Sequence, residues 1–228
     1  MMLASLRLGL YWLADFLYPS TCLACRVRLD PADKHICTSC WNALKTVGES
    51  DYEGIIRCDA IDVIHAGYYY DEVLQKSIHA LKYDRALSLI PKFADRLAQI
   101  VHTNPMLKTA TRITAIPLNP IRKRERGYNQ AELLARAVGQ LAGLSYVETL
   151  QRVRHTESQT KMNTAEDRIK NVDGVFIAMA DASVQDQSVI LVDDIITTGS
   201  TANACAAALK KAGASKVFVL TVGRPTLG

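Results

Sequence analysis

The sequence predicts an α/β fold: a mostly parallel sheet flanked by helices, preceded by a small cysteine-rich segment. Three observations carry this reading. From about residue 58 onward, short apolar runs alternate with stretches of helical periodicity, the pattern of strand–helix–strand units. The runs are continuous and β-branched, as in strands covered on both faces. Four of the six cysteines fall together, at Cys22, Cys25, Cys37 and Cys40. A chain of 228 residues with 49% hydrophobic content suits one full domain and a small appendage. The expected division is 1–50 for an N-terminal helix and cysteine segment, and 59–228 for the α/β domain.

Residues 1–18 are apolar but carry Arg7 and Asp15 and have no clear small-residue cleavage site. They are too short and too polar for a membrane span. An amphipathic helix packing on the rest of the protein is the expectation, with peripheral membrane attachment as the alternative. The cysteines follow as C-x₂-C, eleven intervening residues, and C-x₂-C. Each pair can form a tight knuckle, and two knuckles complete a tetrahedral thiolate site for a structural Zn²⁺. Two disulfides are the alternative, which the lack of an export signal disfavours. The same lack makes a cytoplasmic location the expectation. Cys58 and Cys205 are expected to be buried free thiols.

Residues 60–70 read as a strand, and Asp71 opens a helix with Leu74, Ile78 and Leu81 on one face. A second helix is expected over 89–102, with Phe93, Leu97, Ile100 and Val101 inward. Residues 112–116 form a short strand that stops at Pro117. A helix over 129–142 ends at Gly143, a normal C-terminal glycine. Strands are expected at 175–178, 189–192 and 216–222, with a helix over about 202–212 between the last two.

Chemistry concentrates in 189–201. Four apolar residues, Val189 to Val192, end in the adjacent carboxylates Asp193 and Asp194. Ile195 and Ile196 then lead to Thr197, Thr198, Gly199, Ser200 and Thr201. Backbone N–H groups, four hydroxyls and a glycine at a helix N-terminus suit a phosphate. Carboxylates at the strand end can accept from sugar hydroxyls or hold a hydrated Mg²⁺. The stretch is read as a phosphoribose cradle.

This stretch resembles the signature of type I phosphoribosyltransferases, whose apolar strand, acidic pair and Thr-Thr-Gly-x-Thr loop bind 5-phosphoribosyl pyrophosphate (PRPP). Two further blocks sharpen the resemblance: Arg122-Lys123-Arg124-Glu125-Arg126-Gly127-Tyr128-Asn129-Gln130, and 152–160 with Arg168 and Asn171. With the Cys₄ segment they make the chain similar to the ComF/GntX family, which pairs a zinc-ribbon-like start with a phosphoribosyltransferase domain. That family is associated with natural competence and the use of external DNA. Many members carry further cysteine pairs after the first four, whereas here only Cys58 follows, so no second metal site is expected.

The resemblance implies a PRPP-binding protein that transfers 5-phosphoribosyl to a nitrogen acceptor with release of pyrophosphate. Asp193 and Asp194 are then the candidate catalytic pair, with Ile195, Thr197, Thr198, Gly199, Ser200 and Thr201 binding PRPP and Mg²⁺ accompanying it. Lys82, Arg122, Arg124, Arg126, Arg152 and Arg154 are candidate pyrophosphate or phosphate contacts. Arginine suits multidentate phosphate recognition. The polar segment 152–168 has the composition of a lid or of a surface loop. The alternative function is a non-catalytic PRPP or nucleotide sensor, or an accessory protein of DNA uptake that binds single-stranded DNA or the uptake machinery. The formal charge of +4 is compatible with either. Nothing in 44–70 specifies an acceptor.

Overall fold

The computed structural model describes residues 19–48, 58–153, 174–180 and 183–226. The expected helix over 1–18, Arg154 and nearly all of the segment expected as a lid lie outside them. The chain divides into two compact units. One comprises residues up to Leu44 with Asp71–Leu89, and the other comprises Lys45–Tyr70 with the residues from Ile90 onward.

In the first unit, the Cys22 carbonyl accepts from Arg26 N–H and Cys22 N–H donates to the Val27 carbonyl, closing a tight turn. Arg26 takes the left-handed conformation there, at φ 64°. Cys37 caps the short helix α1, Thr38–Asn42, its sulfur accepting from Cys40 N–H. Strand β1, Val63–Tyr69, belongs to the second unit. Helix α2, Glu72–Tyr83, starts on the Asp71 carboxylate, which accepts from Leu74 N–H. Its Leu74, Ile78 and Leu81 are buried as expected. Lys76 Nζ donates to the Ala24 carbonyl, 3.2 Å, within the first unit.

The second unit is a five-stranded parallel sheet with helices. Helix α3, Leu89–Thr103, buries Phe93, Leu97, Ile100 and Val101. Then come β2, Arg112–Ala115, α4, Pro120–Arg126, α5, Gln130–Ala142, and β3, Ser145–Tyr146. A short ribbon pairs β4, Leu150–Arg152, with β5, Phe176–Ala178. Finally come β6, Ser188–Ile195, α6, Ser200–Lys211, and β7, Lys216–Arg224.

The strand order is β1-β7-β6-β2-β3, all pairs parallel. From β6 the chain passes through α6 to β7, whereas from β2 it passes through α5 to β3, on the opposite side. The connections diverge between β6 and β2, and ligands of such sheets bind at the carboxyl ends of the strands at this divergence. Val189 to Val192 are fully buried, as a central strand covered on both faces requires. Val189, Leu191, Val217 and Val219 pack with Cys205, Ala206 and Leu209 of α6. Alternation turns Ile190 and Val192 to the other face.

Several expectations need adjustment. Residues 175–178 do not join the parallel sheet. They pair antiparallel with β4, a strand too short to show a period in the sequence. The basic cluster at 122–126 forms a helix of its own, because Asn119 caps it, Pro120 starts it and Gly127 ends it at φ 83°. Strand β6 runs on through both aspartates, and α6 begins at Ser200. Cys58 is only partly buried, whereas Cys205 is fully buried.

Gly139 lies where α5 meets β2. A Cβ there would stand 2.8 Å from the Leu144 carbonyl oxygen and 2.9 Å from Ile113 Cγ2. Alanine is the better helix former by roughly 1 kcal/mol, yet the backbone oxygen cannot swing away. Gly139→Ala is therefore expected to destabilise the protein by about 1–3 kcal/mol in urea unfolding. A stabilised variant would show that α5 does not rest this closely on β2.

Candidate functional site

Asp193 and Asp194 close β6. Consecutive strand residues face opposite layers, so Asp193 falls on the α6 side with Val189 and Leu191, and Asp194 on the α5 side. The contacts agree. Asp193 lines a concavity of about 140 Å³ with Ile195, Thr197, Thr198, Gly199, Ser200 and Thr201. Asp194, 5% exposed, accepts at Oδ2 from Gln130 Nε2 of α5, 3.2 Å. Each aspartate also takes the N–H of the next residue: Asp194 N–H to Asp193 Oδ1, 2.8 Å, and Ile195 N–H to Asp194 Oδ1, 2.9 Å.

The loop after β6 is held from two sides. Ile196 N–H donates to the Gly223 carbonyl of β7, 3.1 Å. Gly199 takes φ 76° at the N-cap of α6 and has no side chain to cap it, while Ser200 N–H reaches Thr198 Oγ1 at 3.5 Å. A glycine fits this left-handed position without strain. Thr198 and Ser200 hydroxyls pair at 2.9 Å. Cys58 Sγ approaches the Gly199 carbonyl at 3.8 Å, and Ala60 N–H donates to Asn203 Oδ1, 3.1 Å. Burial raises the Cys58 thiol pKa, and the charge of Asp59 adds to that. The thiol therefore stays protonated as a donor. Backbone N–H groups and hydroxyls around a helix N-terminus form a preset anion cradle.

Thr221 of β7 also lines the concavity, fully buried and in register with Asp193. The sequence reading omitted it. Its signal was one hydroxyl in the apolar run 217–222. Gln130 and Asn129 end the 122–130 block, where no local pattern marks them as site residues. Asn129 Oδ1 accepts from Ala131 N–H as the cap of α5, while its Nδ2 donates to the Ile116 carbonyl, 3.0 Å, at the exit of β2.

The candidate phosphate contacts divide. Arg124 and Arg152 line a second cleft of about 730 Å³ with Leu118, Lys123 and Tyr146. Arg152 is half-buried over the Phe176 ring at 5.4 Å, and that burial lowers its pKa. Burial also pushes the Tyr146 phenol up to about 12, with the nearby charges of Glu132 and Glu148 adding to the rise. Arg122 is exposed and meets Glu125 at 3.5 Å. Arg126 Nη1 donates to Gln130 Oε1. Lys82 stands in the last turn of α2, in the first unit.

In the first unit, the four sulfurs of Cys22, Cys25, Cys37 and Cys40 all lie within 4.8 Å of one another. Burial acts to raise the Cys22 thiol, but backbone N–H groups of Cys25, Cys37 and Ala24 bring it down to about 6. Cys40 is pushed up to about 12 by burial and by hydrogen bonds to the neighbouring sulfurs. Four converging sulfurs cannot all ionise without a cation, so the donor set fits Zn²⁺.

Two families match the chain: "Double zinc ribbon domain" over residues 13–51 and "Phosphoribosyl transferase domain" over 93–224. The second covers more than half of the chain. Competence protein F of Haemophilus influenzae is 29% identical over 224 residues, covering 89% of this chain and 96% of that protein. The chain belongs to the ComF family of phosphoribosyl transferase domain proteins. DNA utilization protein YhgH of Salmonella typhimurium is 32% identical over 154 residues, 66% of each chain. Among solved structures, glutamine phosphoribosylpyrophosphate amidotransferase from B. subtilis aligns at 22% identity and a TM-score of 0.40. That alignment covers 60% of this chain and 26% of that one, so this chain spans about a quarter of its length.

The four cysteines of the zinc ribbon match a structural Zn²⁺ site; among the described residues no second cluster of His, Cys, Asp and Glu is grouped for a metal. No described helix is long and apolar enough to cross a membrane. Metal analysis of protein purified without added zinc is expected to give about one Zn per chain. A metal-free product with paired disulfides would contradict the thiolate site.

Proposed function

We propose that the chain binds PRPP at the carboxyl end of β6 and transfers its 5-phosphoribosyl group to a nitrogen nucleophile. One observation carries the reading: the N-terminus of α6, four loop hydroxyls and Asp193 meet in one concavity at the carboxyl end of β6, a strand that borders the topological switch point. The N–H groups opening α6 and the Thr197, Thr198, Ser200 and Thr201 hydroxyls hold the 5′-phosphate. Asp193 and Asp194 receive the ribose hydroxyls. In the transfer, the nucleophile's lone pair forms the bond to C1 as the C1–O bond breaks. Pyrophosphate leaves with the electron pair, and the nucleophile's proton passes to solvent. Positioning and electrostatic stabilisation supply the rate.

Mg²⁺ bound with PRPP would neutralise charge on the leaving group, and the hard oxygens of Asp193 and the loop hydroxyls fit that ion. Arg124 and Arg152, which share the second cleft, are the candidate cations for the leaving group. The names of the relatives, competence protein and DNA utilization protein, favour competence or DNA utilisation as the setting. Arg122, Lys123 and Arg124 on the exposed side of α4 favour a single-stranded DNA contact as the second reading.

Calorimetric titration of PRPP, with and without Mg²⁺, tests the proposal. The unaltered protein is expected to bind saturably. Asp193→Asn with Asp194→Asn is expected to weaken binding about tenfold or more, because charge-assisted hydrogen bonds become neutral ones. Equal affinity in the variant would remove the carboxylates from the ribose site. No binding at all would contradict the proposal and move the function to α4, where DNA affinity falling with salt is the corresponding signature.

A further inference from the structure

We propose that Gln130 is a positioning residue: it holds the Asp194 carboxylate in the orientation that meets the ribose hydroxyls, and Arg126 in turn holds Gln130. The inference rests on the phosphoribosyl reading above and concerns the same site.

The chemistry of the three groups fixes the arrangement. Guanidinium has donors only, so the Gln130 atom facing Arg126 Nη1 must be the carbonyl oxygen, as found. The amide nitrogen is then left for Asp194 Oδ2, at 3.2 Å. A flipped amide would set N–H groups against the guanidinium and the carbonyl against the carboxylate, which is two repulsions. The orientation of the amide is therefore set by its partners at both ends. Gln130 and Asp194 are only 4% and 5% exposed, so water does not readily replace either bond.

The place of Gln130 in the fold makes it suitable. It is the first residue of α5, directly after the Asn129 cap. Asn129 holds the Ile116 carbonyl at the exit of β2, and Gln130 holds Asp194 at the exit of β6. Two adjacent residues on one helix start thus tie the two strands that border the switch point. Asp194 takes Ile195 N–H at Oδ1 and Gln130 at Oδ2. A carboxylate oxygen can accept more than one hydrogen bond, so both bonds are compatible with a sugar hydroxyl donating to the same carboxylate. Without the amide, the carboxylate would turn about its side-chain torsions and present a different edge. A side chain of the same length without hydrogen-bonding atoms separates this role from packing.

The test compares ribose 5-phosphate with 2-deoxyribose 5-phosphate by calorimetry, in the unaltered protein and in Gln130→Met, Gln130→Glu and Asp194→Asn. The phosphate cradle and the 3-hydroxyl serve both probes alike, so their affinity ratio reports the contact to the 2-hydroxyl, the one assigned here to Asp194. Gln130→Met keeps length and helix propensity. It is expected to weaken ribose 5-phosphate about tenfold, the size typical of lost outer-shell support, and to leave the deoxy probe nearly unchanged. Gln130→Glu keeps the Arg126 partner but sets a carboxylate against Asp194, and the same loss of discrimination is expected. Combining Gln130→Met with Asp194→Asn is expected to add little beyond the stronger single change, because both act on one interaction.

A Gln130→Met protein that discriminates as the unaltered one does would overturn the positioning role while leaving the phosphoribosyl reading intact. Equal weakening of both probes would also overturn it, since a structural role predicts that. If the unaltered protein binds neither sugar phosphate, the phosphoribosyl reading fails, and this role fails with it.

Discussion

At the carboxyl end of β6, two carboxylates stand side by side on a strand whose two faces are both covered. Alternation forces them into different layers, and much of the site depends on that constraint. Asp193 shares the α6 side with the loop that opens α6. Asp194 falls on the α5 side, where a buried carboxylate without partners would be costly. Gln130 and the Ile195 N–H meet it there. The acidic pair is thus one feature in the sequence and two in space, facing the loop on one side and the start of α5 on the other.

The rest of the site is anchored to the same strand. Because β6 lies between β7 and β2, the Ile196 N–H can reach Gly223 and the exit of β2 can reach Asn129. Gly199 turns the chain into α6 and offers no capping side chain of its own. A helix dipole directed at a hydroxyl-lined hollow is prearranged for a phosphate and needs little reorganisation on binding. The zinc ribbon solves a different problem. A segment of its length buries little apolar surface, and ligation of a metal by four sulfurs would supply folding energy.

Most of the strands and helices were legible because they follow strong periodicities. Asp71, Gly143 and the buried faces of α2 and α3 stand where the sequence placed them. The C-x₂-C spacing led to four sulfurs within one tetrahedral reach. What the sequence hid is short or non-local. β3 and β4 have two and three residues, too few for a period. Charge dominates the composition of helix α4 and hides it, although Asn119, Pro120 and Gly127 spell a start and a stop. Gln130 and Thr221 owe their places in the site to strand order, which no local pattern encodes. Likewise, no local pattern shows that Arg126 faces an amide while Arg124 faces a cleft.

The central claim is that the loop opening α6 is a phosphate cradle, and amide chemical shifts measure it most directly. In a ¹⁵N-labelled protein titrated with ribose 5-phosphate, the account predicts that the largest shifts fall on the backbone N–H groups of Thr198, Gly199, Ser200, Thr201 and Ala202. Saturable shifts centred instead on α4, with the α6 start unmoved, would contradict it.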